Sequence, residues 1–293
     1  MSDKKPELSA AMKQKLEPKK FTKNPILGTK FTIAISSAKG GVGKSTFATN
    51  LALALKQVGC KVGLLDADIY GPSIPKMFNI NEKPKSDGQK LDPIVKYDIQ
   101  CMSIGFLADQ QTPMIWRGPM VTSAIKTFTQ KVNWKDLDFI IVDMPPGTGD
   151  TQLTLAQKVP VSGAAIVTTP QDTALLDARK ALKMFEKVEI PVLGVIENMS
   201  THICSKCGHE EAIFGTGGGE RLASEYGVDI LGGIPLDIRI REDADGGRPT
   251  VVADPDGAVA ANYRSIARQV AGRLAARKRN YSEVFPSIVV QNT

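Results

Sequence analysis

The sequence predicts an α/β fold in which helices cover both faces of a doubly wound, mainly parallel sheet. Short runs of strand length alternate with helical segments along most of the chain. These runs are apolar throughout, as is typical of parallel strands buried between two layers of helices. A glycine-rich loop joins the first run to the first helical segment, as in a βαβ unit.

Six apolar runs predict the strands of this sheet, at residues 31–36, 61–68, 139–145, 163–170, 191–199 and 228–235. Helical stretches fit between them at residues 45–58, 120–132, 173–188 and 220–226. Residues 93–106 predict an irregular strand or a hairpin. Apolar positions three and four apart mark one buried face of a last helix at 256–279. We favour packing of this face on the sheet over binding to a membrane surface.

The positive charge of the chain lies in its two end segments. Residues 1–24 carry a net charge of +4 and residues 264–280 carry +6, which leaves −4 for the remainder. We interpret residues 1–25 as a disordered, lysine-rich tail, 26–280 as one domain with a C-x-x-C loop at 199–213, and 281–293 as a C-terminal tail. Since the body is mildly acidic, solvated tails are favoured over a nucleic-acid surface. The composition and the lack of a signal segment predict a cytoplasmic protein.

A candidate phosphate-binding loop lies in the segment FTIAISSAKGGVGKST, residues 31–46. The strict pattern is G-x-x-x-x-G-K-[ST], and Ala38 occupies its first position here. The glycines that follow allow successive backbone N–H groups to converge on phosphate oxygens at the start of a helix. Lys44 is expected to reach the β- and γ-phosphates, and the Ser45 hydroxyl to bind Mg²⁺. We therefore predict a bound nucleotide and not an empty glycine-rich turn.

Acidic residues end two further predicted strands. Asp143 ends the run FIIVD, while Asp66 and Asp68 end LLDAD. Open α/β sheets bind ligands at the carboxyl ends of their strands, where all three acids are placed. One acid could order Mg²⁺-bound water and another could position an attacking water, whereas each alone could be an ordinary loop or cap residue. Together they predict nucleotide hydrolysis.

The segment HICSKCGH, residues 202–209, gives Cys204 and Cys207 the spacing of half a metal site. Cys60 and Cys101 lie beside or within apolar runs and are predicted to be buried. No second C-x-x-C exists in the chain, so a two-fold dimer would complete a set of four thiolates. Four thiolates suit a [4Fe–4S] cluster. The alternatives are zinc, held across the dimer or with a histidine of this segment, and a redox-active cysteine pair.

The segment KGGVGKST, with its additional lysine at Lys39, resembles the deviant Walker A ATPases. Further segments resemble the Mrp/ApbC-type iron–sulfur cluster carriers of that group: DADIYGPSIP, IWRGPM, DMPPGTGD, ENMS before the C-x-x-C, FGTGGGERLA and GGIPLDIRIREDADGGRP. The resemblance covers about residues 31–260. It implies a P-loop NTPase fold related to MinD and ParA, an ATP-dependent face-to-face homodimer, and transfer of an iron–sulfur cluster to apo-proteins.

The resemblance also implies a role for each residue that matches a family motif. ATP would be bound by the loop residues Ala38, Lys39, Gly40, Gly41, Val42, Gly43, Lys44, Ser45 and Thr46. The adenine base would lie near Asn198, Pro235 and Asp237. Catalysis would depend on Asp68, Lys44 and Lys39, the last of which reaches the nucleotide of the partner subunit. Mg²⁺ would be surrounded by Ser45, Asp66 and Asp143, and the cluster would be ligated by Cys204 and Cys207.

The sequence thus predicts a slow ATPase that carries a bridging [4Fe–4S] cluster as a homodimer. Its expected partners are an assembly scaffold that donates the cluster and apo-proteins that receive it, and not nucleic acid or membrane. One alternative is a MinD- or ParA-like positioning ATPase that acts on membrane or DNA through its basic C-terminal helix. That alternative leaves Cys204 and Cys207 without a role. Another alternative is a nucleotide-regulated, zinc-bridged dimer.

Overall fold

The computed structural model describes residues 26–107, 118–204 and 206–276. Its strands are β1 (Thr29–Ser36), β2 (Val62–Asp66), β3 (Ile94–Lys96), β4 (Ile99–Ser103), β5 (Leu137–Asp143), β6 (Gly163–Thr168), β7 (Val192–Ile203), β8 (Glu210–Glu211) and β9 (Ile230–Leu236). Its α-helices are α1 (Lys44–Gln57), α2 (Ile74–Met77), α3 (Gly118–Gln130), α4 (Asp150–Lys158), α5 (Asp172–Lys187), α6 (Gly218–Tyr226), α7 (Ile238–Asp245), α8 (Thr250–Ala253) and α9 (Ala258–Ala276). The two predicted tails, at residues 1–25 and 281–293, lie outside the described ranges.

The strands form one sheet in the order β3-β4-β2-β5-β1-β6-β7-β8, and β9 pairs with β7. Neighbouring strands are parallel except at β3 and β8, which run antiparallel to β4 and β7. Every residue of β2 and β6 is buried, which explains why these runs are apolar throughout. The predicted doubly wound, mainly parallel α/β sheet is confirmed.

All six predicted strands and all five predicted helices occur, with ends that differ by a few residues. Residues 93–106 contain the hairpin β3–β4 and a 3₁₀ turn at Ile104–Phe106, which confirms that prediction. Four helices of four to nine residues were not predicted from the sequence: α2, α4, α7 and α8. Helices of one or two turns contain too few buried positions to show a period in the sequence.

The C-x-x-C segment, expected as a loop at residues 199–213, is a β-hairpin with a short tip. Strand β7 continues to Ile203, four residues beyond its predicted end, and pairs with the two-residue strand β8. The side chains of β8 are exposed, so the pairing has no alternating apolar pattern that the sequence could reveal. The hairpin therefore holds the segment on the sheet more firmly than a free loop would.

Helix α9 packs on the body of the protein, as the sequence analysis favoured. The five apolar positions that predicted it, Val259, Tyr263, Ile266, Val270 and Leu274, are all buried. The helix contacts α1 and β9, and the Tyr263 ring lies 5.8 Å from that of Phe47, centroid to centroid. Its apolar face is consequently occupied by the protein core. Among the described helices, none combines the length and apolar character that crossing a membrane requires.

The two cysteines outside the C-x-x-C pair differ in burial. Cys101 lies within β4 and is fully buried, as predicted. Cys60 is only partly buried, which corrects the prediction for that residue. The reason is its position in the turn between α1 and β2, at the amino edge of the sheet, where helices no longer cover it. Burial raises the pKa of the Cys60 thiol, with a smaller contribution from Asp138.

Candidate functional site

The predicted nucleotide residues converge at the carboxyl edge of the sheet. Strands β1, β2 and β5 are neighbours, with β5 between the other two. In the register of these strands, Asp143 stands opposite both Asp66 on β2 and Ile35 on β1. The glycine-rich loop follows β1, so its lysine reaches the two strand ends that carry the acids. The topology thus places the loop and the acids together, as the sequence analysis expected.

The glycine-rich loop depends on left-handed backbone at two positions. Gly41 and Gly43 have φ angles of 83° and 84°, values that side chains disfavour. Gly43 precedes α1, and a β-carbon there would overlap the side-chain nitrogen of Asn198. Ala38 is not among the described residues with a positive φ, so alanine is compatible with the first position. The loop backbone therefore accepts its departure from the strict pattern.

Lys44 is buried among the acids. Its ammonium group lies 2.6 Å from Asp143 Oδ1 and 3.7 Å from Asp68 Oδ2. It also donates to the hydroxyl of Ser45, 3.1 Å away. Such a buried charge needs paired partners, and these acids supply them. A phosphate at the loop would compete for the same ammonium group, so the arrangement is suited to exchange one anion for another.

Asp66 is fully buried and already engaged by its own chain. Its carboxylate accepts hydrogen bonds from the Ser103 hydroxyl at 3.0 Å and from the backbone N–H groups of Ile74 and Asp68, both at 3.2 Å. Burial, followed by the nearby charge of Asp143, raises the pKa of Asp66 to about 8. The Asp66 carboxyl thus holds together the ends of β2 and β4 and the start of α2.

Two buried acid oxygens lack hydrogen-bond partners in the described part of the chain, and a bound cation would satisfy them. Asp68 Oδ1 and Asp143 Oδ2 are buried and have no hydrogen-bond partner within the described residues. Buried hydrogen-bond acceptors without partners are rare. Carboxylate and hydroxyl oxygens are the ligands that Mg²⁺ prefers. Ser45 lies beside the same lysine. The residues present therefore fit Mg²⁺. Asp68 joins Ser45 and Asp143 as a candidate ligand, whereas Asp66 contributes indirectly, through the hydrogen bonds that hold its carboxyl group in place.

Lys39 lies on the exposed side of the loop. The Ser37 hydroxyl donates to its carbonyl oxygen at 3.0 Å, which fixes the backbone there. The pKa of Asp177 on α5 is lowered mainly by a hydrogen bond from Lys180, with a small contribution from the charge of Lys39. Lys39 is thus exposed, whereas Lys44 is buried, and an approaching partner could reach Lys39.

The three residues predicted near the base lie on or beside the adjacent strands β7 and β9. Asn198 is buried, and its side-chain nitrogen donates to the Val42 carbonyl of the loop at 2.8 Å. Pro235 is buried within β9. The Asp237 side chain caps α7 by accepting from the Arg239 N–H at 2.9 Å, and the Arg239 guanidinium holds its pKa below the ordinary value. Their contact with adenine remains a prediction.

The two cysteines of the C-x-x-C pair lie at the tip of the β7–β8 hairpin. The Cys204 N–H donates to the His209 carbonyl at 2.9 Å, and the Gly208 N–H donates to the Cys204 carbonyl at 2.8 Å. Cys204 is partly buried and Cys207 is exposed. Hydrogen bonds to the Cys204 sulfur, first from the backbone of Cys207 and then from that of Lys206, lower its pKa. The tip therefore favours the thiolate, which is the form that binds metal.

The described residues bring no third metal ligand to the cysteine pair. No group of three or more His, Cys, Asp or Glu residues in these ranges could hold a metal ion. His202 lies in β7, and its Nδ1 is 3.3 Å from the Leu236 carbonyl of β9. The zinc alternative that used a histidine of the same segment thus has no support from this part of the chain. Two further ligands would have to come from outside it.

Two residues that support the site were missed by the sequence analysis. Ser103 ends β4 beside Asp66, and Gln152 on α4 is buried. The Gln152 amide nitrogen donates to the Ser36 hydroxyl at 2.6 Å and to the Pro145 carbonyl at 3.1 Å, which ties the end of β1 to the segment after β5. Ser103 contacts Asp66 only because β4 pairs with β2, which the sequence does not show. Nothing in the sequence alone distinguishes Gln152 from a surface glutamine.

Comparison with known proteins agrees with this geometry. Residues 28–271 match the family described as ParA: NUBPL iron-transfer P-loop NTPase. A curated relative from Pseudomonas fragi, named iron-sulfur cluster carrier protein, is 58% identical over 245 residues, which cover 83% of this chain and 85% of that protein.

Solved structures extend the comparison to the fold. A nucleotide-binding protein from Archaeoglobus fulgidus, solved in complex with ADP, is 37% identical with a TM-score of 0.69, and the match covers 78% of this chain and 90% of that one. The cell division ATPase MinD of Pyrococcus furiosus has a TM-score of 0.61 at 21% identity, over 83% of this chain and 99% of that one, and shows a shared fold alone. By sequence and by fold, this chain belongs to the NUBPL iron-transfer P-loop NTPase family of ParA-like proteins.

Proposed function

We propose that this protein is an ATP-hydrolysing carrier that binds a bridging [4Fe–4S] cluster as a homodimer and transfers it to apo-proteins. One observation carries the proposal: a phosphate loop backed by buried acids and an incomplete, thiolate-favouring metal site occur in the same chain. Membership in the iron-transfer family supports it. We place the protein in the reducing cytoplasm, where free thiols persist, with an assembly scaffold as cluster donor.

In the nucleotide site, each polar group of the loop has a distinct task. Backbone N–H groups of the loop bind the phosphates, and Lys44 exchanges its contact with Asp143 for a γ-phosphate oxygen. Asp68 orients the water that attacks the γ-phosphorus, and the bond to the bridging oxygen breaks to give ADP and phosphate. Mg²⁺, when bound, supplies positive charge against the phosphates. Lys39 reaches the nucleotide of the second subunit, so that ATP favours the closed dimer.

In the cluster site, symmetry supplies the ligands that one chain lacks. Cys204 and Cys207 of each subunit would give four thiolates around the two-fold axis. Cys207 is exposed, and the hairpin tip lies at the surface. A cluster held there by two chains is accessible to the thiols of an acceptor, and separation of the subunits removes half of its ligands. Such a site is suited to release its cargo.

Anaerobic reconstitution with iron and sulfide tests the proposal directly. We expect about four irons per dimer and a brown protein, as a Cys₄ [4Fe–4S] site requires. Cys204→Ala should lose the iron, whereas Cys60→Ala, which changes a partly buried cysteine at the opposite edge of the sheet, should retain it. Full iron loading of Cys204→Ala, or firm binding of the cluster by a protein that stays monomeric, would refute the proposal.

The same preparation separates the two alternatives. A zinc-bridged dimer would contain stoichiometric zinc after purification without oxygen, and no visible absorption. A positioning ATPase would bind liposomes or DNA in an ATP-dependent and salt-sensitive manner. The structure does not favour membrane binding by α9, because the apolar face of this helix packs on α1 and β9.

A further inference from the structure

Strand β7 joins the nucleotide loop to the cysteine pair. Its residue Asn198 donates to the Val42 carbonyl at 2.8 Å, and its side chain leaves no space for a β-carbon on Gly43. Contact this close transmits displacement in both directions: if phosphate shifts the Val42–Gly43 backbone, Asn198 has to follow. Six positions further along the same chain lies Cys204. The strand therefore connects the two sites covalently, through a few residues.

Between the two sites, β7 is interrupted by a bulge. Its pairing with β9 shifts register between Asn198 and His202. Within the bulge, Met199 has a φ of 56°, in the left-handed region that side chains other than glycine seldom adopt. A β-bulge bends a strand and redirects the residues beyond it, and bulges often lie next to functional sites. This bulge is the point at which β7 could change direction with little loss of pairing.

The segments on the two sides of the bulge are held differently. Before it, β7 is paired on both edges, with Glu197 opposite Thr168 of β6 and Gly233 of β9. After it, His202 pairs with Leu236 of β9 and with Glu211 of the short strand β8. Two side-chain bonds hold the bulge: the Ser200 hydroxyl donates to the Ile234 carbonyl of β9 at 3.3 Å, and the Thr201 hydroxyl donates to the Glu210 carboxylate of β8 at 2.6 Å. Before the bulge, β7 thus lies between two longer strands, and after it β7 is paired, among the described residues, only with the last residue of β9 and with the two-residue strand β8.

We propose that β7 transmits nucleotide binding to the cluster site, with the Met199 bulge as the hinge and Met199 as a residue that positions the cysteine hairpin. Occupation of the loop displaces the Val42–Asn198 contact, the bulge converts this displacement into rotation of the hairpin, and the Cys204–Cys207 pair changes its exposure. The inference rests on the proposed function, since it describes how the nucleotide state regulates the cluster site.

The test measures the cysteines without a cluster. Full-length, reduced, metal-free protein is alkylated with iodoacetamide with and without saturating ADP, and mass spectrometry gives the rates at Cys204 and Cys207. Sedimentation under the same conditions selects a concentration at which ADP leaves the mass unchanged, so that dimerisation cannot protect the thiols. We expect ADP to change at least one rate by about fivefold or more, at the lower end of common coupling between sites.

Variants then assign the change to the bulge. Met199→Gly adopts a positive φ freely and removes the restriction on the hinge, so the response to ADP should fall below about twofold while the affinity for ADP is retained. The matched control is Glu189→Gly, because Glu189 has a similar φ of 57° and lies in the turn before the other end of β7. This control should keep the full response. Ser200→Ala removes the hydroxyl that bonds the Ile234 carbonyl, and should also reduce the effect of ADP on the alkylation rate.

Each outcome decides the inference. A full response in both Met199→Gly and Ser200→Ala, or no response in the wild-type protein although ADP binds, overturns it. If iron loading still reaches about four per dimer in that case, the proposed carrier function stands and only the route through β7 is wrong. Loss of iron loading in the wild-type protein would instead refute the proposed function.

Discussion

Lys44 Nζ lies 2.6 Å from Asp143 Oδ1, and both side chains are almost completely buried. This ion pair joins the start of α1 to the end of β5. The lysine neutralises buried acids in the nucleotide-free protein, and we propose that it also binds phosphate when nucleotide arrives.

Lys44→Met should therefore destabilise the nucleotide-free protein as well as abolish ATP binding. Removal of one partner leaves the other charge buried and unpaired, at a cost of about 3–5 kcal/mol at pH 8. The cost should shrink at pH 5, because burial raises the pKa values of Asp66 and Asp68 and their protonation leaves fewer unpaired negative charges. Urea unfolding at the two pH values measures it. Lys56→Met is the control, because Lys56 pairs at 2.9 Å with the exposed Asp98, and such a surface pair contributes about 0–1 kcal/mol.

Asp66 gives the nucleotide-free protein a pH dependence of a definite sign. Its pKa rises from an ordinary 3.8 to about 8 in the folded protein, first through burial and second through the charge of Asp143. Between these two values the folded protein holds a proton that the unfolded chain has released. Stability should consequently fall as the pH rises from about 4 to about 8, by at most about 1.4 kcal/mol per pH unit.

Asp66→Asn removes this titration, so the stability of the variant should not fall with pH for this reason. The free energy of unfolding of the variant, relative to that of the wild type, should therefore increase as the pH rises from 5 to 8. Urea unfolding across that range, without nucleotide or Mg²⁺, measures the increase. Asp87→Asn is a control of opposite sign, because backbone N–H groups of Lys90 and Gln89 lower the pKa of Asp87. The stability that the Asp87 carboxylate contributes to the wild-type protein is lost only at acid pH. Parallel curves for wild type and Asp66→Asn between pH 5 and 8 would contradict the assignment.

Gly43→Ala should weaken nucleotide binding more than its backbone strain alone explains. A φ of 84° disfavours alanine by roughly 1–2 kcal/mol, and the new methyl group would also overlap Asn198. Gly59→Ala is the control that has the backbone strain without the overlap, because Gly59 has a φ of 95° but open space around its β-carbon. We expect both variants to lose stability, and only Gly43→Ala to lose ATP affinity, measured by calorimetry. Equal ATP affinity in the two variants would argue against the Asn198 contact.

The hairpin tip should make Cys204 more acidic than an ordinary thiol. Backbone N–H groups of Cys207 and Lys206, and then the Cys207 side chain, stabilise its thiolate. In Cys207→Ser the backbone donors remain, so alkylation of Cys204 should follow a pKa below the usual value of about 8.5. The rate of iodoacetamide labelling across pH 6 to 10, in metal-free protein, gives the value. Urea-unfolded protein is the reference, and identical profiles in the two states would exclude the proposed hydrogen bonds.

Local patterns were sufficient for much of the fold and for a set of candidate site residues. The apolar runs predicted the buried strands because a parallel strand covered on both faces has no polar side to display, as in β2 and β6. The glycine spacing predicted the loop because Gly41 and Gly43 need left-handed backbone. The C-x-x-C spacing likewise marked Cys204 and Cys207 as candidate metal ligands.

Relations between distant segments were less accessible. Ser103 and Asp66 are 37 residues apart and meet only because β4 pairs with β2. Gln152 and Ser36 are 116 residues apart and contact each other through the packing of α4. The sequence analysis missed both supporting residues, since a single polar side chain has no period and no spacing. It also ended β7 too early, because the hairpin pairing at His202 leaves exposed side chains.

By itself, the sequence determined the α/β class, the phosphate loop with its acids, and a cysteine pair with the spacing of half a metal site. These features depend on residue type and short spacing, which the chain carries locally. Only the tertiary structure decided that the Asn198 side chain contacts the loop and that Lys44 is neutralised by Asp143. Such contacts form only when strand order and register are fixed, because each joins segments that the sheet brings together from far apart in the chain.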